Sequence, residues 1–458
     1  MNLELLINMY ANDPRIFSIA DKVVLSKPQQ IHLSGLNGSS SQFIISSVFN
    51  NPITSQLNHL VILRDAEEAA YFHNTIENIT KALDVFYFPS SFKNKKNYSL
   101  LNSSHVMLRT EALTKLSIGG NRKIIVTYPE ALFEKVVLSK TLRENIISFK
   151  QGELINVDAL LSRFVDHGFT RSDFVYEPGQ FAVRGGILDI YSFGNEKPYR
   201  IELFGNDIDS IRIFDPETQL SERKILQVNI IPNVETQFST GEKVSLLNYL
   251  PDSTIVWTED WEFIKEKIEQ QQEDLELFLE YGTMTDNRHS DSYRETTDDE
   301  LNTKETVSQN DFVVANVLEE QLAQRHIVEF GSKSYFTKRN ESKDSQHLLN
   351  FSIQPQPTFN RQFKLLIENL NKFESQKYSI YIFAENPKQL ERLHSIFSDL
   401  NAEINFTPIP TSIHEGFIDH DIKLVCYTDH EIFQRYHKYK VKQAFSKNKA
   451  LTLKTLRG

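Results

Sequence analysis

Two hydrophobic rhythms divide the chain. In its first third, short apolar runs, His59 to Leu63 (HLVIL) and Lys123 to Val126 (KIIV), alternate with helical patterns over Asp65 to Ile79 and Pro129 to Val137. Such alternation predicts βαβ units around a parallel sheet, because a crossover helix both joins parallel neighbours and covers a face of the sheet. After Lys150 the period drops to two. From Phe174 to Pro232, alternating strands are separated by turn signals at Pro178-Gly179, Gly185-Gly186, Gly194-Asn195 and Gly205-Asn206, which predicts a small antiparallel sheet preceded by a helix over Asn156 to His167. The α/β rhythm resumes at Ser253 to Thr258 (STIVWT) and the charged helix Glu259 to Leu279, as it would if a β-rich insert interrupted one α/β domain. A last α/β block follows the prolines near Gln354 to Pro357. It comprises helix Asn360 to Phe373, strand Tyr378 to Phe383, helix Pro387 to Leu400, and strands around Ile404 to Phe406 and Lys423 to Tyr427.

Composition supports several globular units. With 458 residues, 40% hydrophobic and 24% charged, the chain suits about two to four ordinary domains. A net charge of −11 repels nucleic-acid phosphate outside local basic patches, so a protein partner is the better expectation. The single Cys426 lies in the apolar run Ile422 to Tyr427, which suits core filling and a reducing compartment. Without an apolar stretch of about 18 residues or a secretory leader, the expected location is cytoplasmic, with no membrane contact. The acidic, polar stretch Thr285 to Asn310, including Asp298-Asp299-Glu300, reads as a linker. The basic stretch Arg435 to Lys449 reads either as a surface helix or tether passing near DNA or another domain, or as a partly ordered linker.

Leu33 to Phe49 (LSGLNGSSSQFIISSVF) has the outline of a phosphate-binding loop. In the pattern G-x-x-x-x-G-K-[ST], backbone N–H groups cradle phosphates, the lysine neutralises their charge and the hydroxyl holds Mg²⁺. With Gly35 as the first glycine, Ser40 stands at the second, Ser41 at the lysine and Gln42 at the hydroxyl position; starting from Gly38 does not restore the lysine. The expected role is therefore a glycine turn with Ser39 or Ser40 capping the following helix, and no nucleotide cofactor. No apolar strand of the first domain leads into Asp-Glu-x-His, and no enzymatic activity is expected of this chain. His414 and His420 with Glu415, Asp419 and Asp421 match no tetrahedral metal spacing and read as solvated turn residues, so no metal is expected.

The informative block is Tyr176 to Ser221, YEPGQFAVRGGILDIYSFGNEKPYRIELFGNDIDSIRIFDPETQLS. Phe181, Val183, Ile187 and Ile190 are apolar strand positions, Gly185-Gly186 permits a tight bend after Arg184, and the even spacing of Arg200 and Phe204 puts both on one sheet face. Two arginines and an aromatic on one face are hot-spot chemistry. A salt bridge to Asp189 or Glu202, with Phe204 in the core, is the structural alternative.

Through G-Q-F-A-V-R-G-G-I-L-D-I-Y, P-Y-R-I-E-L-F-G-N-D-I-D-S-I-R and F-D-P-E-T-Q-L-S, the chain resembles the N-terminal half of the bacterial transcription-repair coupling factors (Mfd) over most of its length. Related motifs occur in UvrB of nucleotide excision repair. The resemblance implies an α/β fold: a degenerate P-loop helicase-like domain (1–149 and 237–353, with the acidic linker 285–310) interrupted by a β-rich UvrA-binding domain (150–236). A small α/β domain (354–434) and a basic tail (435–458) follow. It implies recruitment of UvrA to stalled RNA polymerase, with Arg184, Arg200 and Phe204 on the UvrA-binding surface and Arg171 as a secondary contact. It further implies that a C-terminal domain of the intact protein covers this surface until activation. On this reading, Arg200→Glu, or Arg184→Glu with Phe204→Ala, is expected to abolish UvrA binding at a nearly unchanged melting temperature. Contacts to RNA polymerase and DNA, and the ATP-driven motor, belong by the same resemblance to domains missing here, which makes this chain a fragment or a naturally short protein. Ala182 departs from the family, standing where UvrB has a second arginine. An aromatic-rich DNA-gripping hairpin lacks a counterpart between Phe86 and Leu116; Phe86, Tyr87, Phe88 and Tyr98 read as strand packing, and Lys93, Lys95 and Lys96 as a solvated loop. The alternative function is a UvrB-like protein that hydrolyses nucleotide or binds damaged DNA.

Overall fold

The computed structural model describes residues 2–80, 84–233, 241–281, 307–339 and 343–438. Most of the acidic linker, including Asp298-Asp299-Glu300, and the tail beyond Lys438 lie outside the described residues.

Its centre is a seven-stranded sheet in the order Gln346–Asn350, Gln30–Ser34, Ile327–Phe330, Ile255–Thr258, His59–Ile62, Ile124–Thr127, Val85–Tyr87, parallel at every pairing. Five of these strands are buried along their whole length, as expected when helices cover both faces of a parallel sheet. Helix Ser40–Asn50 is correspondingly enclosed, with every residue from Ser40 to Phe49 buried. The sheet draws its strands from before residue 130 and after residue 250, so the β-rich segment is inserted into its connectivity.

The insert folds as a six-stranded sheet in the order Ser221–Ile225, Asp207–Phe214, Tyr199–Phe204, Ile187–Ile190, Gln180–Arg184, Thr170–Arg171, antiparallel except for its last pair. One face packs Phe181, Leu188, Ile201 and Ile211 against Phe164 of helix Val157–Asp166 and against Phe149 and Val228 of a flanking strand pair. That helix begins where the Asn156 side chain accepts the Ala159 N–H at 3.0 Å, an N-cap legible in the sequence.

The last sheet runs Ile353–Pro355, Phe417–Asp419, Leu424–Thr428, Ser379–Phe383, Thr407–Ile409. Its final strand lies three residues later than the sequence reading, because Asn401 takes a left-handed conformation and Phe406 first packs beside Phe397 in the core. The helix expected over Pro129 to Val137 stops at Phe133; Glu134 turns to accept hydrogen bonds from Ser90 and Ser91, and Val136–Val137 pairs as a strand.

One face of the last sheet joins the central core, where Phe43 meets Phe383 and Phe417. The Tyr10 hydroxyl donates to Asp419 at 2.8 Å, and Arg15 bridges Asp13 and Asp421 at 2.6 and 2.7 Å. Asp419 is fully buried and His420 accepts or donates at the Tyr378 hydroxyl, so these residues build an interface and are not the solvated turn expected from sequence. Cys426 fills core, as expected. No described helix is long and apolar enough to cross a membrane.

Candidate functional site

On the outer face of the six-stranded sheet, alternation places Arg184, Asp189, Arg200, Glu202 and Phe204 together. The Asp189 carboxylate is fully buried and holds both arginines: Arg184 Nη2 donates to Oδ2 at 2.7 Å, while Arg200 donates from Nε to Oδ1 at 2.9 Å and from Nη2 to Oδ2 at 3.1 Å. Each guanidinium also lies over an aromatic ring, Arg184 over Phe174 at 4.7 Å and Arg200 over Phe214 at 4.3 Å. Backbone carbonyls complete the fit, Asp173 for Arg184 and Gln219 for Arg200.

Two glycines set the approach to Arg184. Gly185 has φ +58°, and a Cβ on Gly186 would lie 2.7 Å from the Leu203 carbonyl of the neighbouring strand, whose N–H in turn donates to Gly186 at 2.7 Å. The salt-bridge alternative thus describes the two arginines, but not Phe204: its ring is 82% exposed at the end of its strand. Side-chain exposure is 35% for Arg184 and 13% for Arg200. Arg200 is thus mostly buried and paired with Asp189, a setting in which Arg200→Glu is expected to lower the melting temperature and not to leave it nearly unchanged.

Within the parallel sheet, strand Gln30–Ser34 runs through Gly35 to Ser39 into helix Ser40–Asn50. Ser39 holds the N-cap position but makes no side-chain cap; its hydroxyl instead accepts from the Glu415 N–H at 3.0 Å, and its own N–H donates to the Glu415 carbonyl at 2.9 Å. A donor that a phosphate would require is thereby engaged by the chain itself. Gly35 and Gly38, at φ +80° and +57°, are so close to other backbone that a Cβ would meet the carbonyl oxygens of Phe351 at 1.9 Å and Gly416 at 2.5 Å.

A cavity of about 680 Å³ opens beside this loop, at the carboxyl ends of the strands where open α/β sheets bind ligands. Its walls are acidic, with Asp65, Glu67, Glu68, Glu259, Glu415 and Glu431 against Arg64 and Arg435. Burial, then hydrogen bonding and charge from Glu68, pushes Glu259 up to about 9, and burial pushes Glu431 up to about 7. His414 stacks on Tyr71 at 3.6 Å, and burial brings His414, His430 and His437 down to about 4. Among the described residues, no group of three or more His, Cys, Asp or Glu is arranged to hold a metal ion.

Residues 147–235 match the family described as "UvrB interaction domain". Along most of its length the chain is also similar to proteins named transcription-repair-coupling factor. It is 23% identical to that of Bacillus subtilis over 84% of this chain and 35% of the relative, 25% to that of Staphylococcus epidermidis over 97% and 42%, and 24% to that of Staphylococcus haemolyticus over 93% and 40%. The chain is thus similar to the transcription-repair-coupling factors along most of its length, with a UvrB interaction domain match within it. It spans about two fifths of the length of those curated relatives.

Other expected residues fall differently. Arg171 is exposed on the edge strand, but its register partner is the core-facing Phe181, so strand parity points it away from Arg184. Ala182, the departure noted in the sequence, is buried in a cluster with Val175, Tyr191 and Phe214. A short hairpin, Phe92–Asn94 with Asn97–Leu101, occurs in the segment between Phe86 and Leu116. Its aromatics nevertheless turn inward: Phe92 and Tyr98 are buried and pack edge to face, while Lys93, Lys95 and Lys96 sit exposed near the turn.

Two residues escaped the sequence reading. Leu220, 68% exposed, follows the carbonyl that Arg200 grips, and the F-D-P-E-T-Q-L-S motif was its signal. Glu259 ends strand Ile255–Thr258 beside the loop; STIVWT followed by Glu259-Asp260 was an apolar strand leading into an acidic pair, beyond the first domain segment where such a pair was sought.

Proposed function

We propose that this chain acts in transcription-coupled repair, in the cytoplasm, by presenting the outer face of its six-stranded sheet to UvrA. The match of residues 147–235 to the UvrB interaction domain carries this reading. The face supports it chemically: Phe204 offers an exposed ring and Arg184 a guanidinium held in place, residue types enriched at protein interfaces, with Leu220 a further exposed apolar side chain. Arg200 contributes by bracing Asp189, and Arg171 stays a peripheral contact.

In this reading the parallel sheet, formed from 1–149 and 237–353, is a helicase-like scaffold with a degenerate P-loop at Gly35, Gly38, Ser40, Ser41 and Gln42. The 150–236 unit is the binding module, 354–434 a small α/β unit and 435–458 a basic tail. The scaffold uses no ATP and catalyses no hydrolysis: lysine is lacking, the Ser39 N–H is engaged by Glu415, and carboxylates line the adjacent cavity. Contacts to RNA polymerase and DNA are assigned to other regions of the coupling factors.

Calorimetric titration of the whole chain with UvrA tests the proposal. Saturable binding that Phe204→Ala weakens is expected; no binding, or affinity unaltered by that substitution, refutes it. In parallel, ATP titration should give no heat of binding. A nucleotide complex would favour the nucleotide-hydrolysing alternative instead.

A further inference from the structure

We propose that Asp189 is a positioning residue for the partner contact of this face, an inference that rests on the reading just given. Strand register supplies the arrangement. Asp189 pairs with Ala182 on one neighbouring strand and with Arg200 on the other, and Arg184, two residues beyond Ala182, reaches it diagonally. The result is one buried carboxylate shared by two guanidiniums, at 2.7 Å to Arg184 and at 2.9 and 3.1 Å to Arg200.

This geometry does three things. It fixes Arg184 between Asp189, the Asp173 carbonyl and the Phe174 ring, so little freedom remains to be lost when a partner docks. It consumes two of the five N–H donors of Arg184 but three of those of Arg200, which leaves the more exposed arginine with more donors to offer. It also neutralises one of two positive charges, so the triad presents a single net positive charge. The complementary surface is acidic beside an apolar recess: a carboxylate for Arg184 and a pocket for Phe204, roughly 12 Å away by strand spacing.

A merely structural Asp189 would stabilise the sheet without altering what Arg184 contributes to binding. A positioning Asp189 couples the two. The test is a double-mutant cycle on the whole chain, titrated with UvrA: wild type, Asp189→Asn, Arg184→Ala and the pair. Each single variant is expected to lose affinity on the order of tenfold, and the pair to lose little beyond the worse single variant. Losses that multiply, or wild-type affinity in Asp189→Asn, overturn the inference. Should Asp189→Asn fail to fold, Nε–Hε relaxation of the free wild-type chain decides instead. A rigid Arg184, with an order parameter near about 0.85, supports positioning, and a value under about 0.6 overturns it. Wild-type affinity in both Arg184→Ala and Phe204→Ala would sink the underlying UvrA reading, a result distinct from multiplicative losses.

Discussion

Arg200→Glu and Phe204→Ala should separate stability from binding on a single strand. Arg200 makes two hydrogen bonds to Asp189 and one to the Gln219 carbonyl, and stacks over Phe214; only 13% of its side chain is exposed. Glutamate there removes these contacts and sets a second carboxylate against a fully buried one. Breaking a buried ion pair costs about 3 to 5 kcal/mol, and Arg184, which stays on Asp189, places this case near the lower end, about 3 kcal/mol. At about 2 to 4 °C per kcal/mol for a cooperative unit of 150 to 250 residues, the midpoint should fall by roughly 6 to 12 °C. Phe204, 82% exposed, loses almost no buried area as alanine, so its stability change stays within about 0.5 kcal/mol while UvrA affinity drops by about 2 kcal/mol, or roughly 30-fold. Thermal scans by circular dichroism, paired with calorimetric titration, measure both. An Arg200→Glu variant that melts with the wild type would refute the assignment of Arg200 to the fold, and a Phe204→Ala variant that melts several degrees early would refute the exposed ring.

Three further outcomes are expected. Grafting a full P-loop as Ser40→Gly, Ser41→Lys and Gln42→Thr should give no micromolar ATP binding by equilibrium dialysis, because Glu415 still engages the Ser39 N–H and Glu259 and Glu68 still line the cavity; tight binding would show that these three positions, and not the closed loop and acidic walls, are what bars nucleotide. Gly38→Ala drives a Cβ to 2.5 Å from the Gly416 carbonyl at a left-handed φ, so the variant should lose more than about 1 kcal/mol in urea unfolding, with wild-type stability counting against the seal. His59, fully buried and accepting the Trp257 N–H at 3.0 Å, is held neutral by burial, down to about 3 from 6.5. The unfolded chain therefore binds the proton first: the contribution is whole above about pH 6.5 and is lost as pH falls towards 3, by up to about 1.4 kcal/mol per pH unit. Glu259 acts in the opposite sense, gaining stability as pH falls from about 9, so the comparison of wild type with His59→Gln isolates the histidine; parallel pH slopes for the two would contradict its burial.

Periodicity carried much of this fold. HLVIL, KIIV and STIVWT read as buried parallel strands because both faces of their sheet are covered, and the glycine-marked turns from Gly179 to Gly205 bound strands of the six-stranded sheet. The letters of the loop at Gly35 excluded a P-loop lysine. What was not legible depended on contacts distant in sequence. Alternation put Arg184, Arg200 and Phe204 on one face, but could not say that the chain near Phe174 and Gln219 would fold over the arginines and leave the ring bare. Asp419 looked like a turn residue until Tyr10, more than four hundred residues away, covered it. The hairpin at Phe92 was missed because its strands are short and its aromatics serve the core.

The closure of the glycine loop by Phe351 and Glu415-Gly416 ties together two stretches far apart in sequence. A later stretch of chain lies against this loop, with the Phe351 and Gly416 carbonyls at the places where a Cβ of Gly35 or Gly38 would stand and with Glu415 bonded to Ser39. Substitution at either glycine therefore calls for a compensating shift in a segment more than three hundred residues away. The two segments are bound to vary together: the glycines are constrained by a neighbour, whatever the loop itself once did or now does.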